Sequence, residues 1–172
     1  MAEPVRFGVI GSGFMGRTWA RVIAEHAPDA SLVAVGGGRD AAEVSRTHGA
    51  DASEPEALLA RDDIAAVVIA TPVPTHRPLA EAAARAGKHV LVEKPMTKTR
   101  ADADAMVAAA DAAGVRLAVV SQHRYRGAPM AAKAAIRAGR IGAIRMIRIF
   151  GPNAGWDIPA GSWNSDRAQV SP

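Results

Sequence analysis

The chain has 172 residues, 49% of them hydrophobic and 22% charged, which suits one folded domain, or a domain and part of another, and argues against disorder. It contains no cysteine, so disulfides, cysteine-held zinc and thiol catalysis are excluded; no apolar run reaches the ~18 residues of a membrane span, and the N-terminus lacks a signal-peptide pattern, so a cytoplasmic protein is expected. The net charge of +4 is uneven, because residues 121–150 hold seven Lys/Arg and no acid.

In chain order, Arg6–Ile10 reads as a buried strand and Phe14–His26 as a helix with Trp19, Val22 and Ile23 on one face. A second strand is expected at Ser31–Val35, a short helix at Ala41–His48 stopped by Gly49, and a further helical stretch at Glu54–Ala60. Ile64–Ala70 is nearly continuous in apolar, β-branched residues, the pattern of a strand buried on both faces. Thr71-Pro72-Val73-Pro74 breaks it, and a helix follows at Pro78–Ala86. His89–Val92 is the next strand, halted by Pro95, with His89 inside it and read as structural. Then come a helix at Arg100–Ala113, a strand at Val115–Val120 and a helix at Ala128–Ala138. Ala143–Phe150 alternates apolar and basic residues and is expected as a half-exposed strand; Gly151–Pro172 has no periodicity and reads as a loop. The 39 alanines favour helices in the intervening stretches. Strands alternating with helices imply βαβ units, hence an α/β fold with a doubly wound parallel sheet.

Gly11-Ser12-Gly13-Phe14-Met15-Gly16 is a G-x-G-x-x-G placed between the first strand and the first helix. In that position the first glycine permits the tight turn, the second lets a pyrophosphate approach the backbone, and the third lets helix and strand lie close. The helix N-terminus adds free N–H groups and a partial positive charge. The second strand leads into Gly36-Gly37-Gly38-Arg39-Asp40. An acid at the strand end would bind a ribose diol and repel a 2′-phosphate; small residues followed by Arg39 make room for that phosphate and pair with it. NADP is therefore preferred, with Asp40 keeping NAD open.

Further motifs are Ala70-Thr71-Pro72-Val73-Pro74-Thr75-His76, Ala86-Gly87-Lys88-His89-Val90-Leu91-Val92-Glu93-Lys94-Pro95, Gln122-His123-Arg124-Tyr125 and Gly139-Arg140-Ile141-Gly142-Ala143-Ile144. With the glycine loop, their order and spacing resemble the Gfo/Idh/MocA oxidoreductases from Phe7 to about Ile149. The resemblance implies an N-terminal Rossmann domain that binds NAD(P) and moves a hydride to or from a sugar, cyclitol or related polyol. It also implies site residues. Gly11, Gly13, Phe14, Met15 and Gly16 would hold the pyrophosphate. Thr71, Pro72 and His76 would line the cofactor cleft, and Glu93 would face the nicotinamide ribose. Lys94 would be the catalytic-site lysine, and Arg124 would lie near nicotinamide and substrate.

Lys94 also has a physical case of its own. It sits where a strand leaves the sheet, Pro95 restricts its backbone, and an ammonium can polarise a carbonyl oxygen or stabilise a developing alkoxide. His76 by itself could equally cap the next helix or bond a backbone carbonyl. No His/Asp/Glu cluster has metal-ligand spacing, so no metal is expected. The basic stretch carries no nucleic-acid motif and reads as solvated surface plus one cofactor-facing arginine.

Members of the family look about twice this long. The expected organisation is a Rossmann domain over residues 1–122 and the beginning of an incomplete α/β substrate or oligomerisation domain over 123–172. The family's acid/base partner for Lys94 lies in a Gly-rich turn with Asp and His that this sequence does not reach. Impaired hydride chemistry in this chain alone is therefore expected, with a homo-oligomer in the full-length form. The alternatives are a catalytically silent dinucleotide-binding module and a basic interaction domain.

Overall fold

A computed structural model describes residues 3–149. Six parallel strands form one sheet: β1 (Val5–Ile10), β2 (Ala30–Gly36), β3 (Asp51–Ser53), β4 (Ala66–Ile69), β5 (His89–Val92) and β6 (Leu117–Val119). Their order across the sheet is β3-β2-β1-β4-β5-β6. Strands are added in one direction from β1 to β3, then in the other from β4 to β6, so the chain switches sides between β1 and β4. Register aligns the carboxyl ends: Ile10 lies opposite Gly36 and Ile69, Ile69 opposite Val92, and Val92 opposite Val119.

The two faces are built from alternate residues of the same strands, as the period of two requires. Val9, Val35 and Val68 point to one side, where Ala20 and Ile23 of α1 (Phe14–His26) and Val44 of α2 (Ala41–His48) cover them. Ile10, Ala34, Val67, Ile69, Val90 and Val92 point to the other. There they meet Leu58 and Leu59 of α3 (Pro55–Leu59), Ala80 and Ala83 of α4 (His76–Arg85) and Met106 of α5 (Arg100–Ala113). Covering on both faces is why β4 reads as an unbroken apolar run: all four of its residues are buried.

Two local features set helix starts. Thr99 caps α5, its hydroxyl accepting from the Asp102 backbone N–H at 3.1 Å. Val73–Thr75 forms a 3₁₀ turn that runs straight into α4, so that helix begins at His76, two residues before the position expected from Pro78. A second 3₁₀ turn, Gln122–Tyr125, leads to α6 (Gly127–Arg137), which buries none of its residues.

The structure adds one strand to those expected and corrects two expectations. The added strand, β3, has only three residues, two of them exposed, and carries no apolar run. β6 is shorter than the expected Val115–Val120. The strand expected at Ala143–Phe150 is absent over 143–149, which pair with no strand among the described residues and leave Ile144, Met146, Ile147 and Ile149 exposed. Alternation alone does not make a strand where no neighbouring ladder satisfies the backbone. Phe150 and the loop expected at 151–172 lie outside the described residues.

Candidate cofactor site

The carboxyl edge of the sheet gathers the turns after β1, β2, β4 and β5. Backbone bonds stitch these turns together: Gly11 N–H donates to Gly36 O (2.7 Å), Ala70 N–H to Ile10 O (2.8 Å) and Glu93 N–H to Ile69 O (2.9 Å). The glycine loop, Thr71 and Lys94 therefore stand side by side because their strands do.

Within the loop the glycines differ in what they permit. Gly11 has φ +110°, and a Cβ there would lie 2.5 Å from Ala70 O. A Cβ on Gly16 would overlap the Gly11 carbonyl oxygen. These two are required by the fold itself. Gly13 is exposed, and a Cβ on it would meet no atom within 4 Å. The space over its backbone is open, as a ligand phosphate would need. Gly13 is also the N-cap of α1, with no side-chain cap and no acid in the first turn, so the first N–H groups of the helix are left for another acceptor. Phe14 is 79% exposed beside them and Met15 half-buried.

Ser12 was not singled out by sequence, because the motif leaves that position open. It is 2% exposed, and its hydroxyl accepts from the Asp40 backbone N–H at 3.1 Å, joining the glycine loop to the β2 turn. Asp40 is also ion-paired with Arg17 of α1 at 2.9 Å, and Arg17 reaches Glu43 at 3.3 Å. Glu43 and then Asp40 hold the Arg17 guanidinium further above its ordinary range. Arg39 is exposed at the same corner. Gly37 and Gly38 line a cavity of about 470 Å3 with Ile10, Pro55, Thr71 and Pro72. This cavity opens at the switch between β1 and β4, where doubly wound sheets bind ligands.

His76 faces inward and is 1% exposed. Its Nε2 lies 2.8 Å from Thr71 O, and its Nδ1 lies 3.1 Å from both Pro95 O and Met96 O. Both ring nitrogens face backbone carbonyls, so the imidazole braces the turns after β4 and β5 against each other and offers neither nitrogen to a ligand. Glu93 is likewise turned in, at 5% exposed. Its Oε1 accepts from Trp19 Nε1 (2.8 Å) and its Oε2 from the Lys94 backbone N–H (3.1 Å). Lys94 itself is exposed, and its peptide bond to Pro95 is cis.

Arg124 does not line the cavity beside Gly37 and Gly38. It lies in the turn after β6 and lines a separate cavity of about 660 Å3 with Ser121, Tyr125, Met130, Lys133 and Arg137. Three of the seven cations of the basic stretch thus share one wall. Trp19, read from the sequence only as part of one face of α1, donates its indole N–H to Glu93. A half-buried tryptophan generally needs such a partner, which was the available signal.

Residues 5–121 match the oxidoreductase family with an NAD-binding Rossmann fold. The chain belongs to the Gfo/Idh/MocA family. Among its Gfo/Idh/MocA relatives is an inositol 2-dehydrogenase of Rhizobium meliloti, 37% identical over 147 residues, a match covering 84% of this chain and 44% of the relative. A dTDP-3,4-didehydro-2,6-dideoxy-alpha-D-glucose 3-reductase of Streptomyces antibioticus is 42% identical over 119 residues, covering 66% and 35%. The WlbA dehydrogenase from Bordetella pertussis, solved in complex with NADH and UDP-GlcNAcA, superposes with a TM-score of 0.74 at 37% identity, covering 81% of this chain and 44% of that one. The chain spans less than half the length of these Gfo/Idh/MocA relatives.

Proposed function

We propose that this chain is the NAD(P)-binding portion of an oxidoreductase that transfers a hydride between the nicotinamide and a carbinol carbon of a sugar, cyclitol or related polyol. The observation that carries this reading is the uncapped N-terminus of α1 behind the open space over Gly13, with Lys94 on the same sheet edge. The glycine loop and first turn of α1 would hold the pyrophosphate through backbone N–H groups. Thr71 and Pro72 would wall the cleft. When bound, the nicotinamide supplies the hydride acceptor or donor. Lys94 would donate a hydrogen bond to the reacting oxygen, stabilising it as alkoxide character develops. Glu93 and His76 would act from behind, through the backbone on either side of Lys94. Arg124 would approach the nicotinamide and substrate from the β6 turn. Residues 123–172 we read as the opening of a second unit, a reading supported by the unburied helix α6.

For the cofactor, we favour NADP over NAD. Asp40, the acid that would otherwise repel a 2′-phosphate, has its charge paired with Arg17, while Arg39 is exposed beside two glycines. Arg39→Ala is expected to weaken NADPH binding about tenfold and leave NADH within about twofold. Equal effects on both cofactors would reverse the preference. The catalytic role of Lys94 is tested by reduction of NADP with a panel of inositols and sugars. Any turnover of the wild type should fall at least about a hundredfold in Lys94→Ala, with NADPH affinity held within about threefold. Cofactor binding with no turnover by the wild type would leave the cofactor-binding portion standing and the catalytic role of Lys94 unsupported.

A further inference from the structure

Glu93 is a buried carboxylate whose two oxygens are both engaged within the chain. One accepts from the indole N–H of Trp19 at 2.8 Å, and the other from the backbone N–H of Lys94 at 3.1 Å. Trp19 lies on α1, about two turns beyond Gly13, and packs with Phe7 and Leu91 against the core face covered by α1 and α2. A short, charge-assisted path thus runs from the helix that begins at the glycine loop, through one carboxylate, to the backbone of the lysine. On the far side of the same turn, His76 meets the carbonyls of Pro95 and Met96. The lysine side chain is exposed, so its starting point is fixed by its backbone, and the Glu93 bond is a direct constraint on that backbone.

We propose that Trp19 is a positioning residue for Lys94, acting through Glu93, and that it ties the helix bearing the phosphate loop to the place where the ammonium stands. The proposal rests on reading Lys94 as the lysine that faces the nicotinamide and substrate. Trp19 need touch neither cofactor nor substrate for this. Its requirement is a ring N–H aimed at Oε1, which phenylalanine lacks. Histidine can supply one from the equivalent ring position, since both Nε atoms are two bonds from Cγ.

The test combines amide hydrogen exchange with the fluorescence of bound NADPH, excited directly at the nicotinamide. In Trp19→Phe the Lys94 amide should exchange about tenfold faster than in the wild type, with the Val68 amide in the sheet core unchanged. Trp19→His should bring the Lys94 rate back to within about threefold. The fluorescence of NADPH bound to Trp19→Phe should change in the same direction as in Lys94→Ala, at an affinity within about threefold of the wild type. Glu93→Ala gives a second route should Trp19→Phe not fold: it removes both acceptor oxygens, so Lys94 exchange should again rise about tenfold. An unchanged Lys94 rate in either variant, no recovery in Trp19→His, or a rise shared equally by Val68 would overturn the proposal. Exchange is read on the free protein, so a wild type that binds no NADPH sinks the cofactor reading while the exchange result still decides whether Trp19 holds the turn.

Discussion

Gly13 and Gly16 look alike in the motif but carry opposite demands. Gly16 has the Gly11 carbonyl oxygen where its Cβ would go, whereas Gly13 has open space. Gly16→Ala should therefore destabilise the fold by about 1–3 kcal/mol, through the shift needed to relieve the overlap. Gly13→Ala should leave stability within about 1 kcal/mol and lower NADPH affinity about tenfold, because the new methyl enters the ligand's approach. Thermal unfolding and cofactor titration of the two variants separate these effects. The glycines and Lys94 were legible in the sequence because each is tied to a strand end, and strand ends in a parallel sheet share an edge. The inward turn of Glu93 was not. A carboxylate beside a lysine looks solvent-facing until the fold places the Trp19 indole over it. The burial of His76 was legible only as one of two alternatives, since a histidine after a strand can serve a ligand or a carbonyl.

The elements are held at the amino edge of the sheet by a charge network remote from the candidate site. Arg6 at the start of β1 pairs with Asp63 at 2.6 Å, and Arg61 pairs with Asp63 at 2.8 Å and with Asp51 of β3 at 2.6 Å. Buried Lys88, just before β5, donates to Arg61 O at 2.6 Å. The Lys88 of the Gly-Lys-His-Val motif is thus a structural tether, and His89 accepts from the Arg116 N–H at 3.0 Å in a similar role. Hydrogen bonds from Arg61 and then Arg6 hold the Asp63 carboxyl well below its ordinary value of 3.8. Its folded value is depressed, so its stabilisation is present above 3.8 and is lost as pH falls below that value. Stability should decline as acid is added below about pH 4, more gently in Asp63→Asn, and salt should shrink the difference because the pairs are partly exposed. A decline of equal steepness in Asp63→Asn would show the network to be inert. At this scale the long, doubly covered strands and the alanine-rich helices were legible from period and composition. β3 was not, because three residues at a sheet margin have too little burial to leave a pattern. The alternation at 143–149 misled for the converse reason, having period without a partner strand among the described residues.

Across the described residues, the order β3-β2-β1-β4-β5-β6 places a crevice between β1 and β4; Gly37, Gly38 and Thr71 line its cavity, and the glycine loop adjoins it, Gly11 lying against Thr71 and Ser12 against Gly38. Of the seven cations in the basic stretch, three line the Arg124 cavity after β6, and none lines the crevice cavity. Among the described residues, no helix is long and apolar enough to cross a membrane. The central claim is that this crevice binds a nicotinamide dinucleotide through the backbone at Gly13. Calorimetric titration of the purified chain with NADPH tests it most directly. Saturable binding of one cofactor per chain, weakened about tenfold in Gly13→Ala, is the predicted result; no saturable binding of NADPH or NADH, or binding indifferent to that methyl group, would contradict it.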